Sequence, residues 1–412
     1  MKKKIFLALI FINSFLFSYM APVAVKAEEF NILDEQVTLL ADKYPHLSVY
    51  YHNLVTDQSY SYQSDQVVSA ASTIKLPYVM YVYELAAKNE IDLNEELTYK
   101  SRHYYEGSGI IQHDKIGTTY TIKDLVEKSV VYSDNIAFNM LRERVGHTNF
   151  IAYAKSIGGT VVYPNGRNLT TAKDLAIYLR HLWDFSKKYP DLGNELLNLL
   201  KNTIYTDTVA KSVNPQKVAH KVGYLPLKRV YNDAAIVSDE YPYILVVMTQ
   251  GIPVGTDVKL ISNLADIVEQ EHRTTKAPHF VSLLWNAEKS NFQFLREIAF
   301  DYDADEEADP YQTFHLLNEQ FSNAQSAYEY LDEKDQEKYS ERLQNVERSI
   351  KNMTPYMDLI QATETQNINS YFSNDYPKED LILYSLLFDP KINEMKQEQY
   401  KRQLAIAAVA AI

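Results

Sequence analysis

From about residue 273 onward, apolar residues recur at steps of three and four. Phe314, Leu317, Phe321, Ala324, Tyr328 and Leu331 form one series, and Tyr339, Leu343, Val346, Ile350 and Met353 a second. A helix that buries one stripe has this period, so the spacing predicts a helical C-terminal domain. The earlier part of the chain is mixed. Leu47 to Tyr51, Asn232 to Ser238 and Tyr243 to Thr249 are strand-like runs, whereas Leu76 to Lys88, Thr121 to Val131 and Ile261 to Glu271 carry the helical period. Polar residues His272 to Lys276, followed by Pro278, interrupt the pattern. The expected division is therefore an α+β domain over 28–272 and a helical domain over 273–412, with no internal repeat.

Glycine usage sharpens that division, because all 11 glycines lie at or before Gly255. The amino terminus adds an address. Lys2, Lys3 and Lys4 precede the mostly apolar run Ile5 to Tyr19, and Val25-Lys26-Ala27 offers small residues where a signal peptidase cuts. Cleavage is expected after Ala27. An uncleaved anchor is the alternative, although the run is short for a spanning helix of ~20 residues. Losing four lysines and no acidic residue would take the formal charge from -13 to -17. That balance argues against nucleic acid or an anionic membrane as the main partner. With no cysteine, an exported chain must rely on buried apolar surface, and thiol nucleophiles, iron-sulfur clusters and lipid attachment through cysteine are excluded. The expected location is outside a Gram-positive-like cell, free or loosely held at its surface.

Candidate chemistry enters at Ser69-Ala70-Ala71-Ser72-Thr73-Ile74-Lys75. Residues three apart share a helix face, so the Lys75 amine can reach the Ser72 hydroxyl if Ser72 begins a helix, where Pro77 is also tolerated. Unpaired amides at such a start stabilise a developing oxyanion. Taken alone, S-x-x-K is a weak pattern. It is followed, however, by Ser133-Asp134-Asn135 and then by Lys221-Val222-Gly223.

S-x-x-K, S-D-N and K-[T]-G in this order resemble the motif set of class A β-lactamases and penicillin-binding proteins. The resemblance covers roughly residues 30 to 272. It extends to Glu106-Gly107-Ser108-Gly109-Ile110-Ile111-Gln112, to Asn168 through Leu175, and to Asn232 through Val237. It implies an antiparallel sheet flanked by helices, with an all-helical portion carrying Ser72 and Ser133. It also implies roles: Ser72 as nucleophile, Lys75 as proton acceptor, Ser133 as relay to the leaving nitrogen, Lys221 as point charge for a substrate carboxylate, and Asn135 as partner of a substrate amide. The Ser72 and Tyr224 amides, with Gly223 between Tyr224 and the lysine motif, would form the oxyanion hole. No metal or cofactor is implied.

Two departures matter. The family's glutamate that activates water against the acyl-enzyme has no counterpart between Val161 and Asn168, and only 36 residues separate Ser133 from Thr170. Asn165 can orient water but cannot take its proton. In addition, Val222 stands where the family has a hydroxyl that contacts the substrate carboxylate. The expected function is acyl-serine chemistry on β-lactams or cell-wall peptides with slow deacylation. A D,D-peptidase-like or esterase activity is a second reading, and a non-catalytic module binding wall fragments or a protein partner, the latter through the helical domain, a third.

Other features read as ordinary structure. Asp301, Asp303, Asp305, Glu307 and Asp309 alternate like a calcium loop, but Glu306 occupies the glycine position and Gln312 that of the bidentate glutamate. The ten histidines show no metal-ligand spacing, the 33 tyrosines are dispersed, and Leu404 to Ile412 is too short to span a bilayer.

Overall fold

A computed structural model describes residues 30–239, 241–300 and 310–364. The amino-terminal segment through Ala27, the acidic run 301–309 and the apolar stretch 404–412 lie outside the described residues. The chain separates into two compact units, Glu28–Thr274 and one built from Thr275 onward.

The first unit begins with α1 (Asn31–Ala41), β1 (Leu47–Asn53), β2 (Ser59–Tyr62) and β3 (Val68–Ser69). A 3-10 turn, Ala71–Ile74, runs straight into α2 (Lys75–Ala87). There follow β4 (Glu96–Thr98), β5 (Thr119–Thr121), α3 (Ile122–Val131), α4 (Asn135–Val145), α5 (His147–Ser156) and β6 (Leu169–Thr170). Helices α6 (Ala172–Lys188), α7 (Pro190–Lys201) and α8 (Val209–Ser212) lead to β7 (Val218–Leu225), β8 (Val230–Val237), β9 (Tyr243–Gln250) and α9 (Thr256–Thr274).

Five strands form an antiparallel sheet in the order β2-β1-β9-β8-β7, which leaves β7 at an edge. Both faces are covered, so β8 and most of β9 are buried throughout and lack a polar alternation. One face joins α2 to α7 in a core around Leu76, Val79, Leu125, Leu141 and Leu179. The other packs on α1, α8 and α9 through Leu33, Val37, Ile261 and Leu264. Along β7, Ala219 belongs to the first core and Val218 and Val222 to the second, the alternation that a period of two requires.

The polar residues His272 to Thr274 continue α9 beyond Glu271. His272 is fully buried with its Nδ1 2.8 Å from the Tyr51 hydroxyl, and Glu271 accepts the Ile32 and Leu33 amides at the start of α1. The last turn of α9 thus holds a side chain of β1 and the first amides of α1.

The second unit contains α10 (Lys276–Phe300), α11 (Pro310–Tyr328) and α12 (Glu333–Glu364). Its core gathers Phe280, Leu284, Leu317, Ala324, Val346 and Met353, so both apolar series anticipated from the spacing face inward. Pro278 sits in the first turn of α10, where its missing amide costs nothing. No helix among the described residues is long and apolar enough to cross a membrane.

Candidate active site

Ser72 lies in the 3-10 turn that precedes α2, and Lys75 is the first residue of the helix. Ala71 is held at φ 49°, a left-handed conformation that an alanine adopts only when its surroundings demand it. Two side-chain amides fix this turn. Asn168 donates to the Ala71 carbonyl at 2.9 Å, and Asn232 donates to the Ser69 carbonyl at 2.9 Å. These contacts give the N-L-T-T and N-D-A-A stretches a physical purpose, since each ties a distant element to the segment bearing the nucleophile.

Ser133 is also left-handed, at φ 54°, between α3 and α4. The conformation turns both its carbonyl and its hydroxyl toward Lys75. The Lys75 Nζ contacts the Ser133 carbonyl, lies 3.3 Å from the Ser133 Oγ, 2.8 Å from the Asn135 Oδ1 and 3.4 Å from the Ser72 Oγ. Asp134 builds the support. One carboxylate oxygen caps α4 through the Ile136 and Ala137 amides, and the other accepts the Ile110 and Ile111 amides at 2.6 and 2.8 Å. Gly109 packs so closely on Asp134 that a Cβ would meet its carboxyl carbon at 2.3 Å. That is why the G-S-G-I-I stretch accompanies S-D-N.

Lys75 is 2% exposed. Burial, then repulsion from the Lys221 cation, hold its amine well below the usual lysine range, only partly offset by Asp134. The cause matches what a neutral proton acceptor requires. Lys221 is itself fully buried, and burial pushes it down to about 7 against the opposing pull of Asp233. Its Nζ donates to the Val222 carbonyl at 2.8 Å. Lys221 is therefore a buried neighbour of Lys75, on which its charge acts.

Gly223 brings β7 against the nucleophile. A Cβ there would meet the Ala70 carbonyl at 2.7 Å and the Thr73 amide nitrogen at 3.0 Å, so only glycine allows the approach. Tyr224, the next residue of this edge strand, lines the cleft with Ser72, the juxtaposition that an oxyanion hole from their amides would use.

Val222 corrects the sequence-based expectation. It is 2% exposed and packs in the second core with Val209, Ala210 and Tyr231, on the sheet face away from Ser72. The strand's alternation sends Lys221 and residue 222 to opposite faces, so the valine is a core residue and not a weakened carboxylate contact. Sequence reasoning also missed the pair beside it. His220 Nδ1 lies 2.9 Å from Asp233, which further accepts from the Thr208 hydroxyl and the Val209 amide. Burial opposes the charge on Asp233, but the His220 ring and these hydrogen bonds outweigh it and hold the carboxyl below its usual range. A histidine before the lysine motif and an aspartate after Asn232 were the available signs.

The cleft has a volume of about 1410 Å³ and runs from Ser72 between α4, the β7–β8 turn and the segment from Tyr163 to Leu169. That segment is pinned at both ends. Asp174 accepts the Thr160 and Val161 amides at one end, and Asn168 holds Ala71 at the other. Between them a 3-10 turn at Pro164–Gly166 places Tyr163 and Asn165 at positive φ. Among the described residues lining the cleft, Glu106 is the sole carboxylate, and it comes from the loop before α4.

A serine, a buried lysine of depressed basicity and a second serine within hydrogen-bond reach of that lysine are the arrangement that serine acyl transfer uses. Comparison with known proteins specifies it. The sequence profile of the β-lactamase enzyme family matches residues 32–271, and the chain belongs to that family. It is 26% identical over 231 residues to a β-lactamase of Bacillus licheniformis, covering 52% of this chain and 74% of the relative. Among solved structures, an acyl-enzyme complex of a PBP-A mutant with penicillin G superposes with TM-score 0.55 at 25% identity, over 59% of this chain and 97% of that one. An ancestral class A β-lactamase shares the fold with TM-score 0.52 at 22% identity, covering 58% and 99%. The motifs therefore sit on a class A β-lactamase-like serine hydrolase fold, with the sheet and helices that the resemblance implied.

Proposed function

We propose that this protein is acylated at Ser72 by β-lactams or by peptides of the cell wall, and that it releases the acyl group slowly. The observation that carries the reading is the unequal supply of proton acceptors around Ser72: Lys75 on one side, and no carboxylate from Tyr163 to Leu169 on the other. Neutral Lys75 takes the Ser72 proton as Oγ attacks the carbonyl. The C–N bond breaks, the Ser133 hydroxyl delivers a proton to the departing nitrogen, and the Lys75 ammonium restores it. Hydrolysis of the ester then lacks general-base help, commonly worth 10²- to 10⁴-fold. The charged amino-terminal run and Val25-Lys26-Ala27 support export of the chain.

The two buried lysines favour catalysis over binding alone. An ionisable group without a carboxylate partner is costly to bury, and its depressed basicity is what a catalytic lysine uses. Mass spectrometry of the intact protein after exposure to penicillin G tests the reading. The expected result is a single adduct that persists for minutes or longer, is absent in Ser72→Ala and forms about 10²-fold or more slowly in Lys75→Ala. Rapid turnover without adduct would defeat the slow-release claim, and no adduct with any acyl donor would favour a binding module.

A further inference from the structure

The cleft carries positive charge in a chain whose formal charge is -13. Arg142, Arg167 and Lys228 line it, against the single carboxylate of Glu106. Four arginines elsewhere hold acids: Arg102 holds Glu143, Arg144 holds Glu95, Arg273 holds Glu269 and Arg342 holds Glu288. Among the described residues, Arg142 and Arg167 hold no carboxylate. Glu143, the neighbour of Arg142 in sequence, is committed to Arg102 and His103.

Position decides which part of a substrate these cations meet. Asn135, Phe138, Asn139 and Arg142 follow the i, i+3, i+4, i+7 spacing of one helix face, and all four border the cleft. A rise of 1.5 Å per residue sets Arg142 about 10 Å along α4 from Asn135, whose Oδ1 touches Lys75. The Arg142 guanidinium sits 6.0 Å over the Tyr163 ring, and Tyr163 begins the segment that carries Arg167. The Tyr78 hydroxyl draws on the same guanidinium, which carries several N–H donors, so donors remain for a further acceptor. Glu106 belongs to the opposite end of the helix, because its carbonyl accepts from the Asn135 amide.

We propose that the cleft selects acyl donors whose acyl arm itself ends in a carboxylate, held by Arg142 and Arg167 about 10 Å beyond Asn135. The inference rests on the acyl-enzyme reading above and names the substrate class for that site: acidic peptides, or β-lactams with an acidic arm. A guanidinium would also bind phosphate, but the arm of a penicillin or an acylated dipeptide is an acyl group joined by an amide to the carbon beside the scissile carbonyl, and a carboxylate is the anion such an arm carries. Arg142 is half-buried and Arg167 exposed, so attraction between the arm and these cations should weaken with salt.

The test compares adipoyl penicillin, whose arm ends in a carboxylate, with its methyl ester on that arm, in acylation of the full chain followed by mass spectrometry. The acid is expected to acylate faster by about tenfold or more at low salt, with the advantage shrinking as salt rises. Arg142→Gln combined with Arg167→Gln should bring the ratio to within about twofold, whereas Lys115→Gln, outside the cleft, should preserve it. A ratio near one in the unmodified protein, or a ratio that survives the double substitution, overturns the inference. If neither compound acylates Ser72, the acyl-enzyme reading fails separately. Calorimetry with N-adipoyl-D-alanyl-D-alanine and its adipoyl methyl ester then decides this inference alone: tighter binding of the acid that the double substitution removes supports it, and equal or absent binding overturns it.

Discussion

On the α4 side of Ser72, Lys75 stands within hydrogen-bond reach of Ser133 and Asn135, and the turn that carries these two is held by the Asp134 cap and the left-handed conformation of Ser133. On the opposite side, the segment from Tyr163 to Leu169 contributes an aromatic ring, amides, a guanidinium and an aliphatic side chain. The first side holds groups that can move protons, and the second offers no proton acceptor among its side chains. Forming the ester and cleaving it by water need acceptors in different places, so one reaction centre can be complete for the first and bare for the second.

The strongest way to break this contrast is to supply the missing acceptor. Leu169 lines the cleft and pairs across the β3–β6 ladder with Ser69, three residues before the nucleophile. Leu169→Glu is expected to shorten the lifetime of the Ser72 adduct by about 10²-fold or more, read as the decay of the acylated mass. An unchanged lifetime would show that water is not approached from this side.

A smaller effect is expected from Lys221→Met. Removing the neighbouring cation makes it easier for Lys75 to stay protonated, so its pKa rises and less neutral amine remains at a given pH. The rising limb of the pH profile for acylation should move to higher pH, with a severalfold loss of rate at pH 7. Stability should move the other way. Lys221 titrates near 7 when folded and in the ordinary lysine range when unfolded, so between those values the unfolded chain binds more protons and stability increases with pH. At pH 7 the buried lysine therefore costs stability, and Lys221→Met should melt a few degrees higher. A lower melting temperature, or an unmoved pH profile, would remove Lys221 from its role beside Lys75.

The smallest effect should come from Val222→Thr. The side chain lies in the second core, so acylation should stay within about twofold, while a buried hydroxyl without a partner costs roughly 1–3 kcal/mol in a denaturant melt. Faster acylation would place this side chain on the cleft after all.

How much of this was legible in the sequence follows the range of each interaction. Helix α3, the strands β1 and β9, and the two apolar series of the second unit are local patterns, and they are where the spacing put them. The contact of Lys75 with Ser72 was also legible, being set within one helical turn. Its contacts with Ser133 and Asn135 came through the family resemblance, since these residues lie 58 and 60 positions further along the chain. What was hidden depends on strand parity and tertiary closure. The face taken by Val222, the burial of Lys221 and the His220–Asp233 pair all require knowing which side of β7 meets which core. The helical role of His272 was hidden for the same reason: its polarity suggested the end of the helical pattern, and its Tyr51 partner is 221 residues away.

The segment between the Asp174 and Asn168 anchors is fastened at each end to parts of the molecule that do not depend on what lies between them. Residues could be inserted or exchanged there without displacing the serine or the lysine, because neither anchor belongs to the inserted stretch. A lineage could in this way gain or lose hydrolytic turnover through a short insertion in its gene while the rest of the active site stayed under unchanged selection. The difference between a protein that is trapped by an antibiotic and one that destroys it would then be a matter of loop length, reachable in few mutational steps and without passing through an unfolded intermediate form.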